Sequence, residues 1–112
     1  MLEVPTDPNM ALIYRLNQDR NPLHCDPDYT ARAGFPRPIL HGLGTYGAVA
    51  AAVARTCPDR TLRRIEARFS RPVFPGETLA ADLWGAPEDL QFRVRVPARD
   101  VVVLDRGRMS FA

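Results

Sequence analysis

Lysine is absent from this chain of 112 residues, and all fifteen basic residues are arginine. That absence removes Schiff-base chemistry and the lysine of a Walker-type phosphate loop. Serine is scarce: Ser70 and Ser110 both sit in strand-like runs, which argues against a serine nucleophile. The two cysteines, Cys25 and Cys57, have neither disulfide-framework nor zinc spacing. Free thiols suit a reducing, cytoplasmic setting, and neither a secretory leader nor a Ser-Lys-Leu peroxisomal ending is legible. The longest uncharged apolar stretch, Leu43 to Ala54, falls short of the roughly 20 residues a membrane span needs. Charge of either sign is nearly balanced, with a net +2, so no strong field points to nucleic acid or a membrane surface.

What is present reads as one domain over residues 1–112, with residues 1–8 a short lead-in that holds at most a stub of strand. The apolar fraction of 46% is enough for one small core. Asn9 is placed to cap a short helix through Leu16, with Leu12, Ile13 and Leu16 on one face. Pro22 blocks continuation and favours an extended Asn21, so Asp19 to His24 reads as a loop. Asp26-Pro27 matches a cap followed by proline at the first helical position, and Gly34 ends that helix after about Ala33. Pro36 and Pro38 keep the chain extended up to Gly42. From there to about Thr56, Leu43, Tyr46, Val49, Ala50 and Val53 follow helical spacing, while the opposite face is Ala and Gly rather than charged. A helix apolar all round is expected to be buried on all sides.

The second half changes period. Ile65, Ala67 and Phe69 alternate with polar residues, as do Leu79, Ala81 and Leu83, and again Leu90, Phe92, Val94 and Val96. Val101 to Phe111 is a fourth strand. Turns at Pro72–Gly76, Gly85–Asp89 and Pro97–Asp100 are short enough to force antiparallel pairing. The expected class is α+β: a four-stranded antiparallel sheet against one long apolar helix, with open edges for a partner to complete.

The chemistry concentrates between Tyr14 and Pro27. Asp19, Asn21 and His24 place a carboxylate, an amide and an imidazole within six residues, with Pro22 pinning the backbone between them. Tyr-Arg-Leu-x-x-Asp-x-Asn-Pro-Leu-His-x-Asp-Pro resembles the signature of the MaoC-like (R)-specific enoyl-CoA hydratases, or hydratase 2. Ala33 to Leu43 resembles the family's second block, and Arg68 to Glu77 its third. The resemblance runs from about Val4 to the C-terminus and implies the hot-dog fold, a long helix wrapped by an antiparallel sheet. It is the catalytic C-terminal repeat of the family's two-repeat members that the chain resembles. Single-domain members carry a longer N-terminal strand segment than Met1–Thr6. The family also has Ser-Gly before the catalytic carboxylate where this chain has Asn17-Gln18. Glycine tolerates backbone angles that glutamine does not, so this departure bears on how Asp19 is aimed.

The resemblance implies addition of water across the double bond of a trans-2-enoyl-CoA to give the (3R)-3-hydroxyacyl-CoA, reversibly, by acid–base activation of one water. Asp19 and His24 would flank that water, and Asn21 would orient it or the loop. The Gly42 amide, at a helix start, would take up enolate charge on the thioester carbonyl. Phe35, Leu43 and Tyr46 are candidates for the acyl chain, and Arg37 and Arg71 for the CoA phosphates. No cofactor is expected, since CoA belongs to the substrate. The expected partner is a second hot-dog chain, identical or not.

Several plainer readings stand beside these. A metal at His24-Cys25-Asp26 is disfavoured, because neighbouring residues rarely ligate together; the expectation is no metal. His41 reads first as structural, holding the Gly42 turn. Tyr46 is more often core than ligand contact, Arg63-Arg64 a solvated strand edge, and Trp84 a packing residue at the outer sheet surface or an interface. Two functional alternatives also remain. One is a non-catalytic hot-dog subunit that binds acyl thioesters or completes a heteromer, which Gln18 and the short N-terminus favour. The other is a thioesterase, which the same fold can host.

Overall fold

Uncharged from end to end, residues Gly42–Ala54 form the longest helix of the chain, α3. The computed structural model describes residues 1–112. Along the chain, β1 (Leu2–Pro5) is followed by helices α1 (Met10–Leu16), α2 (Pro27–Arg32) and α3. Strands β2 (Leu62–Phe69), β3 (Thr78–Trp84), β4 (Leu90–Val96) and β5 (Val101–Phe111) then complete one sheet. The five strands lie in the order β1-β3-β4-β5-β2, each antiparallel to its neighbours. The α+β class and the antiparallel sheet under a long helix are those expected. No helix is long and apolar enough to cross a membrane.

The four-stranded expectation is corrected to five. Leu2–Pro5 pairs with Thr78–Ala81 of β3. Four residues ending in proline are too short to show a period, but an edge strand tolerates a proline because no ladder donor is needed on its free side. Val4 anchors this strand in the core. Thr6 continues the tie: its hydroxyl donates to the Glu77 carbonyl at 2.7 Å and accepts the Gly76 N–H at 3.0 Å.

Two helices differ from expectation in what they bury. The long helix ends at Ala54 rather than Thr56, and it is not covered on all sides. Gly44, Thr45, Val49, Ala52 and Val53 face the core, while Leu43 is 68% exposed and Gly47 and Ala51 also lie outside. One small sheet covers one side of a helix, and apolar composition alone does not say what covers the other. In α1 only Ala11 is buried. The expected inward face is turned out, with Leu16 84% exposed and Leu12 and Ile13 half exposed. By contrast α2 follows its sequence signals. The Asp26 carboxylate accepts the N–H groups of Asp28 (3.0 Å) and Tyr29 (3.2 Å), and Gly34 leaves the helix at φ +92°.

The strands of the second half keep the expected alternation best at β4, where Leu90, Phe92, Val94 and Val96 are buried and Gln91 and Arg93 exposed. Along β5, one extra residue is inserted near Arg106. Phe92 pairs with Gly107 and Val94 with Leu104, and Arg106 takes φ +52°. The Phe92 ring lies over Gly107, 2.5 Å from where a β-carbon would stand, so no other residue fits this bulge unless the ring moves. Val49 and Val53 of α3 meet Leu79, Phe92, Val94, Leu104 and Met109 in one buried cluster.

The turn before β3 is clamped by one carboxylate. Glu77 Oε1 accepts the Phe74 N–H at 2.7 Å and an Arg99 Nη2 bond at 2.8 Å, and Oε2 accepts Arg99 Nε at 2.6 Å. Arg99 also donates to the Pro72 carbonyl at 2.9 Å. Burial disfavours the Glu77 charge, but Arg99, the Phe74 N–H and Arg37 together outweigh it and hold its carboxyl below the ordinary value of 4.5. A carboxylate with a lowered folded value stabilises the fold above its unfolded pKa and loses that contribution as pH falls through the folded one. Glu77→Gln should therefore lower urea-unfolding stability at pH 7 by about 2 kcal/mol. The gap to wild type should narrow as pH drops below 4.5. A gap of constant size over that range would contradict the role assigned to the charge.

Candidate active site

Helix α1 ends in a hydrogen-bonded left-handed turn that sets the direction of Asp19. The Gln18 N–H donates to the Arg15 carbonyl at 3.1 Å and the Asp19 N–H to the Tyr14 carbonyl at 3.0 Å. This crossed pair is a Schellman motif, which requires a residue with positive φ just past the helix. Gln18 supplies it at φ +72°. The departure from glycine at this position therefore leaves the turn in place and puts a strained side chain in it, at a cost of roughly 1–2 kcal/mol.

Beyond the turn, short-range bonds build the loop residue by residue. Asp19 Oδ1 accepts the Asn21 N–H at 3.3 Å, and Asn21 Oδ1 accepts the Leu23 N–H at 3.1 Å. Asn21 thus caps the single 3-10 turn Pro22–His24 and orders the loop. His24 then reaches across to the second block, where its Nδ1 lies 2.8 Å from the Ile39 carbonyl oxygen. A carbonyl can only accept, so Nδ1 carries the proton, and in the neutral ring Nε2 is left with a free lone pair.

His41 closes the cluster. Its ring is stacked between Tyr14 (centroids 4.3 Å apart, 27° between planes) and His24 (3.6 Å, 22°). Its Nε2 lies 3.1 Å from Asp19 Oδ2. Burial lowers the proton affinity of His41, His24 lowers it further, and Asp19 opposes both, leaving it below the ordinary value of 6.5. The structural role read from sequence is visible in the backbone, where the His41 carbonyl accepts the Gly44 and Thr45 N–H groups at 2.9 and 3.2 Å and opens α3. The position of the ring is what sequence reasoning missed. Its only signal was a histidine immediately before the glycine that starts an apolar helix.

Ligand atoms of Asp19, His24 and His41 lie within 4.8 Å of one another. The geometry suits a proton-handling cluster better than a metal. In-plane lone pairs on two nearly parallel rings stacked 3.6 Å apart do not converge on one ion, as tetrahedral ligation requires.

The other predicted residues divide into two groups. Gly42 opens α3, where the first N–H groups have no partner inside the helix and the dipole favours negative charge. The Phe69 ring lies 3.1 Å from the point a β-carbon of Gly42 would occupy. A cleft of about 280 Å³ beside it is lined by Phe35, Ile39, Gly42, Phe69 and Arg71, among others. Phe35, Gly42 and Arg71 are thus brought together. Leu43 points outward, and the Tyr46 hydroxyl donates to the Ile65 carbonyl at 2.8 Å, tying α3 to β2. Arg37 donates to the Pro75 carbonyl at 2.9 Å and lies over the Phe74 ring at 4.9 Å, so it braces the turn before β3.

Residues 1–105 match the family described as MaoC like domain. The chain belongs to that family. A 3-hydroxyacyl-thioester dehydratase Y of Mycobacterium tuberculosis is 45% identical over 119 residues, covering 98% of this chain and 41% of its own length. A peroxisomal enoyl-CoA hydratase 2 of Arabidopsis thaliana is 46% identical over 105 residues, covering 91% of this chain and 34% of its own. Among solved structures, a MaoC-like dehydratase from Phytophthora capsici superposes with a TM-score of 0.91 at 36% identity, over 99% of this chain and 40% of that one. An R-hydratase from Pseudomonas aeruginosa superposes at 0.81 with 26% identity, over 98% of this chain and 76% of that one. This MaoC-like chain spans about two fifths of the length of the curated relatives it matches first.

In this MaoC-like domain, the left-handed turn yields a direct test. Gln18→Gly should raise unfolding stability by about 0.5–1 kcal/mol, the relief of left-handed strain less the added freedom of the unfolded chain. Gln18→Val, β-branched at the same φ, should lower it. Chemical denaturation of the three proteins decides the matter, and a glycine variant less stable than wild type would refute the strain.

Proposed function

We propose that this domain carries the acid–base site of a hydro-lyase acting on 2-enoyl thioesters: hydration of trans-2-enoyl-CoA to (3R)-3-hydroxyacyl-CoA, or the reverse. The observation that supports it most is that the Asp19 carboxylate, with one oxygen held by the Asn21 N–H, lies with a ligand atom within 4.8 Å of one on His24, whose Nδ1 is tied to the Ile39 carbonyl so that Nε2 keeps its lone pair. The names of the relatives, 3-hydroxyacyl-thioester dehydratase and enoyl-CoA hydratase, point to the same chemistry.

In the forward direction one water sits between Asp19 and His24. As the water oxygen bonds to C3, its proton passes to the pair, and the alkene electrons move toward the thioester carbonyl. The resulting enolate oxygen is met by the Gly42 N–H and the positive end of α3. The enolate collapses as C2 takes a proton from the pair, so one water is added and the protein returns to its starting state. The two groups act as one coupled unit. Phe35 and Phe69 offer the acyl chain an apolar wall, and Arg71 stands on the same cleft for the anionic end of CoA. The reaction draws on no metal or redox cofactor, with CoA entering as part of the substrate.

A second hot-dog chain is the proposed partner, covering the outer face of α3 and the free edges of the sheet. The free thiols Cys25 and Cys57 suit a reducing compartment, the cytoplasm in the simplest case. Gln18 is one of the two grounds for the alternative of a non-catalytic subunit, and because Gln18 holds the left-handed turn at φ +72°, that ground falls away.

The test is hydration of crotonyl-CoA, followed as loss of enoyl-thioester absorbance, by the chain alone or with its partner. Asp19→Asn and His24→Gln should each lower turnover at least about 10²-fold with circular dichroism unchanged. Absence of hydration by the wild type, or full activity in Asp19→Asn, would sink the proposal. Release of free thiol from acyl-CoA would indicate a thioesterase instead.

A further inference from the structure

His41 is the one side chain of the cluster that the proposed reaction does not use, and it is the most enclosed, with 6% of its surface exposed. Both of its ring nitrogens are buried without an in-line hydrogen-bond partner, although Nε2 lies 3.1 Å from Asp19 Oδ2. Leaving buried polar atoms unpaired is costly. A phenyl ring would fill the gap between Tyr14 and His24 without that cost. The nitrogens therefore call for a function other than filling space.

Two degrees of freedom in the site are unaccounted for without His41. The bond from Nδ1 to the Ile39 carbonyl tethers one edge of the His24 ring but does not stop it pivoting about that edge. The His41 ring, face to face with it at 3.6 Å, does. The Asp19 side chain is 45% exposed, and its Oδ1 is held only by a long bond from the Asn21 N–H. Its Oδ2 faces the His41 Nε2 edge. A small rotation of the carboxylate would bring Oδ2 into line with an Nε2–H, and both oxygens would then have fixed directions.

We propose that His41 is a positioning residue of the reaction: its ring plane holds His24 in orientation, and its Nε2 edge steers the Asp19 carboxylate toward the shared water. This inference rests on the hydratase reading for its kinetic part only. Burial and the neighbouring His24 disfavour a second proton on His41 and outweigh the opposing pull of Asp19, and the neutral ring has one N–H to give. That N–H sits at Nε2, where the carboxylate accepts.

Two measurements test it. The first is steady-state hydration of crotonyl-CoA by His41→Phe and His41→Gln. The phenyl ring keeps the stack and removes the donor, so kcat should fall roughly ten- to hundredfold with KM within about twofold. The glutamine amide can donate to Asp19 but gives up the ring face, so kcat should recover only in part, to a value above that of the phenylalanine variant. Wild-type kcat in His41→Phe, a defect confined to KM, or a glutamine variant no better than the phenylalanine one would overturn the steering of Asp19. The second needs no turnover. Relaxation of the His24 ring ¹³C–¹H groups in the full chain should show an ordered ring in the wild type and in His41→Phe, and added ring motion in His41→Ala. An equally ordered His24 ring in a folded His41→Ala protein would overturn the ring-holding role. If the wild type fails to hydrate the substrate while the ring motion behaves as described, the hydratase reading fails and the positioning of His24 stands.

Discussion

One carbonyl organises the site. The Ile39 oxygen accepts from His24 Nδ1, which decides which His24 nitrogen carries the proton. The strand-like run that carries it is bonded in three directions. The Ile39 N–H donates to the Leu23 carbonyl at 3.1 Å, the Leu40 N–H to the Val73 carbonyl at 2.7 Å, and the His41 carbonyl takes up the first amides of α3. The three sequence blocks that carry the family resemblance are therefore joined physically at residues 39–41. Moving this run would disturb the His24 ring, the start of α3 at Gly42 and the turn bearing Arg71 together.

The legible parts of the fold were those in which local chemistry decides the outcome. Asp26-Pro27 and Gly34 bounded α2 because a side-chain cap, a fixed φ and a left-handed exit act within a few residues. The alternation at β4 was legible because one face of that strand meets the core and the other meets water. What escaped were questions of coverage and pairing. Leu2–Pro5 becomes a strand only because β3 offers it an edge. Leu12, Ile13 and Leu16 satisfy a helical stripe yet point outward, since a seven-residue helix riding on the surface does not choose what lies over it. The bulge at Arg106 depends on the Phe92 ring of the neighbouring strand, which no pattern within β5 announces.

The site shows the same division. Asp19, Asn21 and His24 were readable because they are close in sequence and a proline fixes the backbone between them. Gln18 was readable as a departure, but its consequence was not. Sequence shows a glutamine where glycine is easier, and only the hydrogen bonds of the turn show that the backbone accepts the strain and keeps its course. His41 was ranked low because its ring joins the cluster through tertiary stacking, and Arg37 was ranked as a phosphate contact because nothing in its neighbours reveals Phe74 beneath it.

All the groups assigned to proton handling lie between Tyr14 and Gly42, on a stretch held mostly by its own short-range bonds, while the cooperative core lies in the strands that follow. These are different units of stability. Far-ultraviolet spectroscopy reports the sheet and helices and not the side-chain geometry of Asp19, His24 and His41. A spectrum that looks native by its strands is therefore no measure of whether that cluster is in place.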